Sequence, residues 1–235
     1  MPNSVHTSKQ FDAELEALRG RVLQMGGMVE EQIKQALEAL ISGDLELCDK
    51  VEHNDHLVNA QEVGIDEDCS TIIARRQPAA GDLRMLMTVV KTITDLERIG
   101  DEAAKIARMA KLIYSNDRLQ QPRTAEIRRM SQVALEMLRK SLDAFARLDV
   151  SASAEVVRQD RHVDDEFRSV LRQLITFMME DPRTISMSIE ILFIAKAIER
   201  IGDHSKNISE YVIYMVKGKD VRHTTLEEIE REVLG

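Results

Sequence analysis

Apolar residues recur every three or four positions along most of the chain, which is the spacing of an amphipathic α-helix. The pattern predicts six long helices, and few helix-breaking residues interrupt them, since the 235-residue chain contains only 10 Gly and 4 Pro. Gly26 and Gly27 predict a soft interruption of the first helix, and Asp181 followed by Pro182 is typical of a helix start. The predicted helices cover about residues 8–41, 45–76, 81–114, 124–148, 154–179 and 182–217.

Two sequence motifs occur twice, in the same order and with nearly the same separation. The letters Glu-Arg-Ile-Gly-Asp stand at residues 97–101 and again at 199–203, in the third and sixth predicted helices. The motif Asp-x-x-Val-Asn at residues 55–59 recurs as Asp-x-x-Val-Asp at residues 160–164, in the second and fifth helices. Such self-similarity is typical of a duplicated helical unit. We therefore predict an all-α protein of two three-helix bundles, 1–120 and 121–217, with a charged tail, 218–235, that is loose unless 226–233 forms one more short helix.

The duplicated motifs place acidic side chains at helical spacing. Residues four apart stack on one helix face, so Glu97 and Asp101 point the same way, and so do Glu199 and Asp203. Each pair continues a stripe of apolar residues, and an acid on such a face needs a cation, a metal ion or water as its partner. The second and fifth helices carry lines of polar residues at the edge of their apolar stripes: Asp55, Asn59, Glu62 and Asp66 on the former, Asp160 and Asp164 on the latter.

These acids support two interpretations. Carboxylates that are brought together repel one another, and a multiply charged cation turns that repulsion into binding. Oxygen ligands favour iron(III), manganese, magnesium or calcium, and helical bundles commonly build metal sites from facing side chains. The alternative is that lysines and arginines of neighbouring helices form ordinary ion pairs with the acids. His56 stays open as a further ligand, whereas His204 is predicted to point away from the acidic face.

Composition and charge narrow the class of protein. Hydrophobic residues make up 43% of the chain and aromatic residues only 3%, which suits helix-on-helix packing. The formal net charge of -9 disfavours nucleic acid as a partner. Cys48 and Cys69 lie too far apart on one predicted helix to form a disulfide. Reduced cysteines, no secretory signal and no apolar run that could span a membrane predict a cytoplasmic protein.

Three stretches of sequence together carry a family resemblance. They are the duplicated Glu-Arg-Ile-Gly-Asp motif, Ile-Ala-Arg-Arg-Gln-Pro at residues 73–78, and Thr-Phe-Met-Met-Glu-Asp-Pro-Arg-Thr-Ile at residues 176–185. As a set they resemble the PhoU family of bacterial phosphate-specific transport accessory proteins, over a span from about residue 11 to residue 218. The resemblance implies two pseudo-symmetric three-helix bundles that bind iron or zinc through acidic pairs spaced by four.

The resemblance also implies two groups of metal ligands. Iron, zinc, manganese or magnesium are the candidate metals. Asn59 departs from the all-acidic form of the motif and is a neutral, weaker ligand, which counts against metal at the first group. We call the groups the first acidic cluster (Asp55, Asn59, Glu62, Glu97 and Asp101) and the second acidic cluster (Asp160, Asp164, Glu199 and Asp203).

For function, the resemblance implies a negative regulator of the phosphate-starvation response with no enzymatic activity. Such a protein links the ATPase subunit of the phosphate-specific ABC transporter to the phosphate-sensing histidine kinase and modulates phosphate uptake. It reaches the membrane only through these partners and is commonly a homodimer.

Two other functions stay open. A ferritin-like di-metal oxidase would need Glu-x-x-His pairs, but Gly100 and Gly202 occupy the third position after each glutamate. The other is a purely structural helical protein without metal.

Overall fold

The computed structural model describes residues 9–115, 122, 124–222 and 224–234, and these ranges are helical almost throughout. They contain no β-strand, so the predicted all-α class is confirmed. The predicted domain boundary at residue 120 lies outside the described residues. The helices are α1 (Lys9–Ser42), α2 (Leu45–Arg76), α3 (Ala80–Tyr114), α4 (Ala125–Arg147), α5 (Val150–Glu180), α6 (Ile185–Lys217) and α7 (Leu226–Leu234), with a 3₁₀ turn (Pro182–Thr184) before α6.

The second helix of each bundle begins with the same aspartate cap. The side chain of Asp44 accepts a hydrogen bond from the backbone N–H three residues on at 2.9 Å, and that of Asp149 does the same at 3.0 Å. Aspartate caps of this kind satisfy backbone donors that the first helical turn leaves without partners. The cap explains why α5 begins at Val150 and not at residue 154, where the sequence pattern placed its start.

α1 runs through its two glycines without the predicted interruption. Gly26 is buried where α4 crosses α1, and a Cβ at this position would lie 2.7 Å from both δ-carbons of Leu142. A Cβ at Gly27 would meet no atom within 4 Å. The first glycine therefore allows two helices to approach closely, and the packing that results offsets its low helix propensity.

The six long helices form two three-helix bundles that share one core. α1, α2 and α3 pack against one another, as do α4, α5 and α6. The bundles meet mainly along α3 and α6, with a smaller contact between α1 and α4. Buried apolar side chains of all six helices belong to a single cluster. α3 and α6 are therefore the central helices, because each packs against its own bundle and against the other one.

The C-terminal segment packs against the second bundle. α7 confirms the predicted short helix, but the segment is not the loose tail that its charge suggested. Val221 and Ile229 are each 2% exposed. Arg158 of α5 also forms an ion pair with Glu230 of α7, with 2.5 Å between Nη2 and Oε1. The apolar contacts that hold the segment join Val221, Leu226 and Ile229 to Ala154, Val157 and Ile213.

Both cysteines are free thiols buried in α2. Burial raises the pKa of Cys48 to about 11 and that of Cys69 to about 12, so neither is a ready nucleophile at neutral pH. None of the helices in the described part of the chain is long and apolar enough to cross a membrane.

Candidate metal centre

A close helix contact lies at the centre of each duplicated motif. Gly100 lies between the two acids of its motif, and a Cβ built on it would be 3.4 Å from Cγ1 of Val58 on α2. Gly202 lies in the same place in the second motif, and its Cβ would be 3.4 Å from Cγ1 of Val163 on α5. A separation of 3.4 Å is ordinary van der Waals contact, so the helices pack closely here and the acids on α3 and α6 lie beside the polar edges of α2 and α5. The same geometry therefore occurs twice.

In the first acidic cluster the side chains of α2 and α3 converge. Asp55, Glu62 and Glu97 are half-buried, while Asp101 is exposed. Burial raises the pKa of Glu97, and the negative charges of Asp101 and Glu62 raise it further. Partial desolvation of its carboxyl group beside α2 also raises the pKa of Asp101, although the residue as a whole is exposed, and the charge of Asp55 adds to the rise. The acids are thus close enough to repel one another, as the predicted site requires.

Among the described residues, only neutral groups donate hydrogen bonds to the acids of the first cluster. Nε2 of Gln32 donates to Oδ1 of Asp55 at 2.9 Å, and the Thr94 hydroxyl donates to Oε1 of Glu62 at 3.1 Å. Within residues 9–115, 122, 124–222 and 224–234, no lysine, arginine or histidine forms an ion pair with these acids. Oδ1 of Asn59 is buried and has no hydrogen-bond partner in this part of the chain. The negative charge of the cluster is therefore not offset by a directly bonded cation.

The second acidic cluster contains its own cations. Nζ of Lys206 lies 2.8 Å from Oδ2 of Asp160, and Nζ of Lys196 lies 2.5 Å from Oε2 of Glu199. Burial raises the pKa of Asp203 to about 6, and the charge of Glu199 adds to the rise. This cluster follows the ion-pair interpretation more closely than the first cluster does.

The pKa of Asp164, the remaining acid of the second cluster, is also raised. Burial is the main cause, and the charge of Asp160 is the next. Two carboxylates of this cluster are thus bonded to lysines, and the other two are held close to negative neighbours. A metal ion here would compete with the two lysines for the bonded carboxylates.

The oxygen donors of both clusters fit a hard cation, but their arrangement is not a finished site. Among the described residues, no group of three or more carboxylate, imidazole or thiolate side chains is placed so that it could hold a metal ion. Side chains would have to turn inward to complete a coordination shell, which usually needs six or more oxygens for calcium and a regular octahedron for magnesium. The first cluster is the better candidate for metal binding in the structure, because no cation among the described residues is bonded to its acids. The sequence pointed to the second cluster instead, because the first contains the neutral Asn59. Metal binding at either cluster stays a prediction.

Sequence reasoning missed several groups that shape this region. His204 points away from the acids, as predicted, and its Nδ1 lies 2.7 Å from Oδ1 of Asp95 in the contact between α6 and α3. Asp95 is 2% exposed and was not singled out, because its helix carries apolar residues on several faces. The ion pair between Lys196 and Glu199 could have been predicted, since Lys196 precedes Glu199 by three positions on one helix. Lys206 reaches across to α5, and no spacing along the chain predicts that contact.

Comparison with known proteins identifies the family. The PhoU domain family matches residues 22–110 and 127–212, one stretch in each bundle. The chain is 47% identical over 229 residues to a Pseudomonas aeruginosa homologue of the phosphate-specific transport system accessory protein PhoU, which covers 97% of this chain and 94% of that relative. It is 46% identical over 230 residues to the Escherichia coli protein of that name, which covers 98% of this chain and 95% of the relative.

Solved structures agree with this comparison. The crystal structure of PhoU from Pseudomonas aeruginosa matches with a TM-score of 0.85 and 46% identity. The match covers 89% of this chain and 100% of that one. The phosphate transport system regulatory protein PhoU from Streptococcus pneumoniae matches with a TM-score of 0.83 and 29% identity, over 90% of this chain and 99% of that one. Because the family model matches both bundles and the relatives are similar over nearly their full length, the chain belongs to the PhoU family.

Proposed function

We propose that the protein is an accessory regulator of phosphate-specific transport that restrains the phosphate-starvation response when phosphate is plentiful. The observation that carries the proposal is the 46–47% identity, over 97–98% of this chain, to relatives named as accessory proteins of that transport system. In this role the protein acts in the cytoplasm, as a homodimer and without catalytic turnover. It links the transporter's ATPase subunit to the phosphate-sensing histidine kinase and so modulates phosphate uptake.

The helix contact at the duplicated motifs supports an adaptor over a ferritin-like oxidase. Such an oxidase needs a histidine at the third position after each glutamate. Here that position is Gly100 or Gly202, each packed against a valine of the neighbouring helix. A histidine side chain would not fit in that contact without separating the two helices.

We also propose that a hard cation binds the first acidic cluster. Glu97 and Asp101 have raised pKa values and no directly bonded partner within the described ranges. The carbonyl oxygen of Asn59 is a buried acceptor without a donor in the same part of the chain, and it can serve as a neutral ligand. Iron, zinc, manganese and magnesium are the candidates, and the bound charge would remove the repulsion between the acids.

A genetic experiment tests the regulatory role. In a bacterial strain that lacks its own PhoU, a reporter of phosphate-starvation genes is expected to be active in high phosphate and to be repressed when this chain is supplied. A pull-down from the complemented cells is expected to recover the transporter ATPase and the histidine kinase. Failure of a well-expressed chain to restore repression would contradict the proposal, and repression without either partner would contradict the adaptor mechanism alone.

Elemental analysis of protein purified without chelator tests the metal proposal. Replacement of Glu97 by Gln together with Asp101 by Asn is expected to lower the bound metal at least tenfold. The matched pair Glu199→Gln and Asp203→Asn is expected to have a smaller effect, because lysines already bind two acids of that cluster. Equal metal content in the wild type and in both double variants would rule out the acidic clusters as the site.

A further inference from the structure

A polar cavity lies between the second bundle and the C-terminal segment. Its volume is about 480 Å³, which lies within the range of small-molecule sites. α5 and α6 form its floor, and the segment that includes the start of α7 forms its roof. Val157, Leu226 and Ile229 supply an apolar part of the wall. The cavity wall is therefore partly apolar, and polar and charged groups line the rest.

Glu210 of α6 is the unusual group in this wall. Its side chain is buried, with 7% of the residue exposed, and it lines the cavity. Within the described part of the chain it forms no hydrogen bond and no ion pair. Burying a carboxylate without a partner is costly, and nearly all buried polar groups in proteins have one. A cation that enters the cavity can therefore reach this carboxylate as its partner.

Two of the three cations in the cavity wall are already engaged with other acids. Lys206 bonds to Asp160, with 2.8 Å between Nζ and Oδ2. Arg222 bonds to Asp220 through two nitrogens, with 3.0 Å between Nε and Oδ1 and 2.5 Å between Nη2 and Oδ2. The third cation of the wall, Arg161, is exposed to solvent. The buried charge that is left without a partner is therefore negative.

We infer that this cavity binds a small organic cation, an alkylammonium or guanidinium compound, whose N–H groups donate to the carboxylate of Glu210. A short alkyl stem fits against the apolar wall. A charge-assisted hydrogen bond in a buried setting is stronger than one between neutral groups, so a single carboxylate can select the cation. A volume of about 480 Å³ is in the range of sites that take a free small molecule. The inference does not depend on metal at the acidic clusters.

Calorimetric titration of the full chain with agmatine, which carries a guanidinium and an ammonium group, tests the site. Glu210→Gln keeps the shape of the side chain and removes its charge, and it is expected to weaken agmatine binding at least tenfold. The matched control is Glu227→Gln in the same wall, where the carboxylate already accepts hydrogen bonds from Thr225 and from its own backbone. This control is expected to change the affinity less than twofold.

A second variant tests the same site if Glu210→Gln fails to fold. Thr224→Phe places a bulky ring in the cavity wall at an exposed position, at the loss of one hydrogen bond from its hydroxyl to the Val221 carbonyl, so it is expected to keep the fold and to weaken agmatine binding. Agmatine binding that is unchanged by Glu210→Gln would overturn the inference, as would no agmatine binding to the wild type.

Two further titrations separate the alternatives. Inorganic phosphate that binds in place of agmatine, and more tightly to Glu210→Gln, would assign the cavity to anions and overturn the inference. A blocked peptide with one internal arginine is expected to bind at least tenfold more weakly than agmatine. Equal binding of the peptide would overturn the assignment to a free small molecule.

Discussion

Asp95 on α3 and His204 on α6 form a buried hydrogen bond across the contact between the two bundles, with 2.7 Å between Oδ1 and Nδ1. The residues are 2% and 7% exposed, so solvent does not compete for either group. Nδ2 of Asn207 also donates to Oδ1 of Asp95, at 3.3 Å. The pair therefore joins the bundles by a buried polar contact between α3 and α6, beside a more exposed ion pair in which Nη1 of Arg200 lies 3.1 Å from Oε1 of Glu102.

Breaking this pair is expected to destabilise the fold as a whole. His204→Ala should lower the free energy of unfolding by about 2 kcal/mol, because Asp95 stays buried and keeps only the bond from Asn207. Asp95→Ala should lower it by about 3 kcal/mol, because His204 and Asn207 both lose their acceptor. The double variant should lose less than the sum of the two, since both single variants remove the same interaction. Urea unfolding of the four proteins gives the coupling energy. Strictly additive losses would mean that the bond does not join the bundles.

The two glycines of α1 are expected to respond to alanine in opposite ways. Gly26→Ala should destabilise the protein by about 1–3 kcal/mol, because its Cβ would lie 2.7 Å from the δ-carbons of Leu142. Gly27→Ala should stabilise it by up to about 1 kcal/mol, since alanine favours the helix and the site is open. Thermal unfolding measures both variants. A stabilising Gly26→Ala would mean that α1 and α4 do not pack this closely.

The sequence was sufficient for the helices and for the duplication. Periodicity locates the helices because each buries a stripe of apolar residues, and the duplicated motifs predict the two three-helix bundles. The four-residue spacing places the two acids of each duplicated motif on one helix face, and the metal sites inferred from them stay a prediction. Local patterns of this kind survive folding because the groups involved are neighbours on one helix.

The sequence was not sufficient where distant segments meet. α3 is apolar on several faces, so its spacing could not tell that Asp95 faces the other bundle. Lys206 neutralises an acid on α5, and this contact depends on how two helices pack. The charge of the C-terminal segment suggested a loose tail, yet Val221 and Ile229 are buried against α5 and α6. Each of these errors concerns a tertiary contact that no local pattern encodes.

The docking of α7 is expected to depend on apolar contact more than on charge. Ile229→Ala should weaken docking by about 2 kcal/mol, because the side chain is 2% exposed. Glu230→Ala removes the ion pair with Arg158. This change should cost less than about 1 kcal/mol, because the side chains of Glu230 and Arg158 are 34% and 57% exposed. Hydrogen exchange of the α7 amides measures both effects. A larger effect of Glu230→Ala would contradict this ranking.

Glu210 is expected to make the stability of the ligand-free, chelator-treated protein depend on pH. Burial raises its pKa from 4.5 to about 7, the charges of Asp160 and Asp220 add to the rise, and Lys206 and Arg222 oppose it. Between these two pH values the folded state binds more protons than the unfolded state, so this group lowers stability as pH rises, and the full cost applies above about 7.

Replacing Glu210 by Gln removes this cost. At pH 8 the variant should be more stable than the wild type by about 2–3 kcal/mol, and near pH 4 the difference should vanish. Urea unfolding at both pH values measures the change. Glu227→Gln is the matched control, because hydrogen bonds from its own backbone and Thr225 lower the pKa of Glu227, so its removal should bring no gain at pH 8. An equal gain from both variants would mean that general charge repulsion, and not the burial of Glu210, sets the pH dependence.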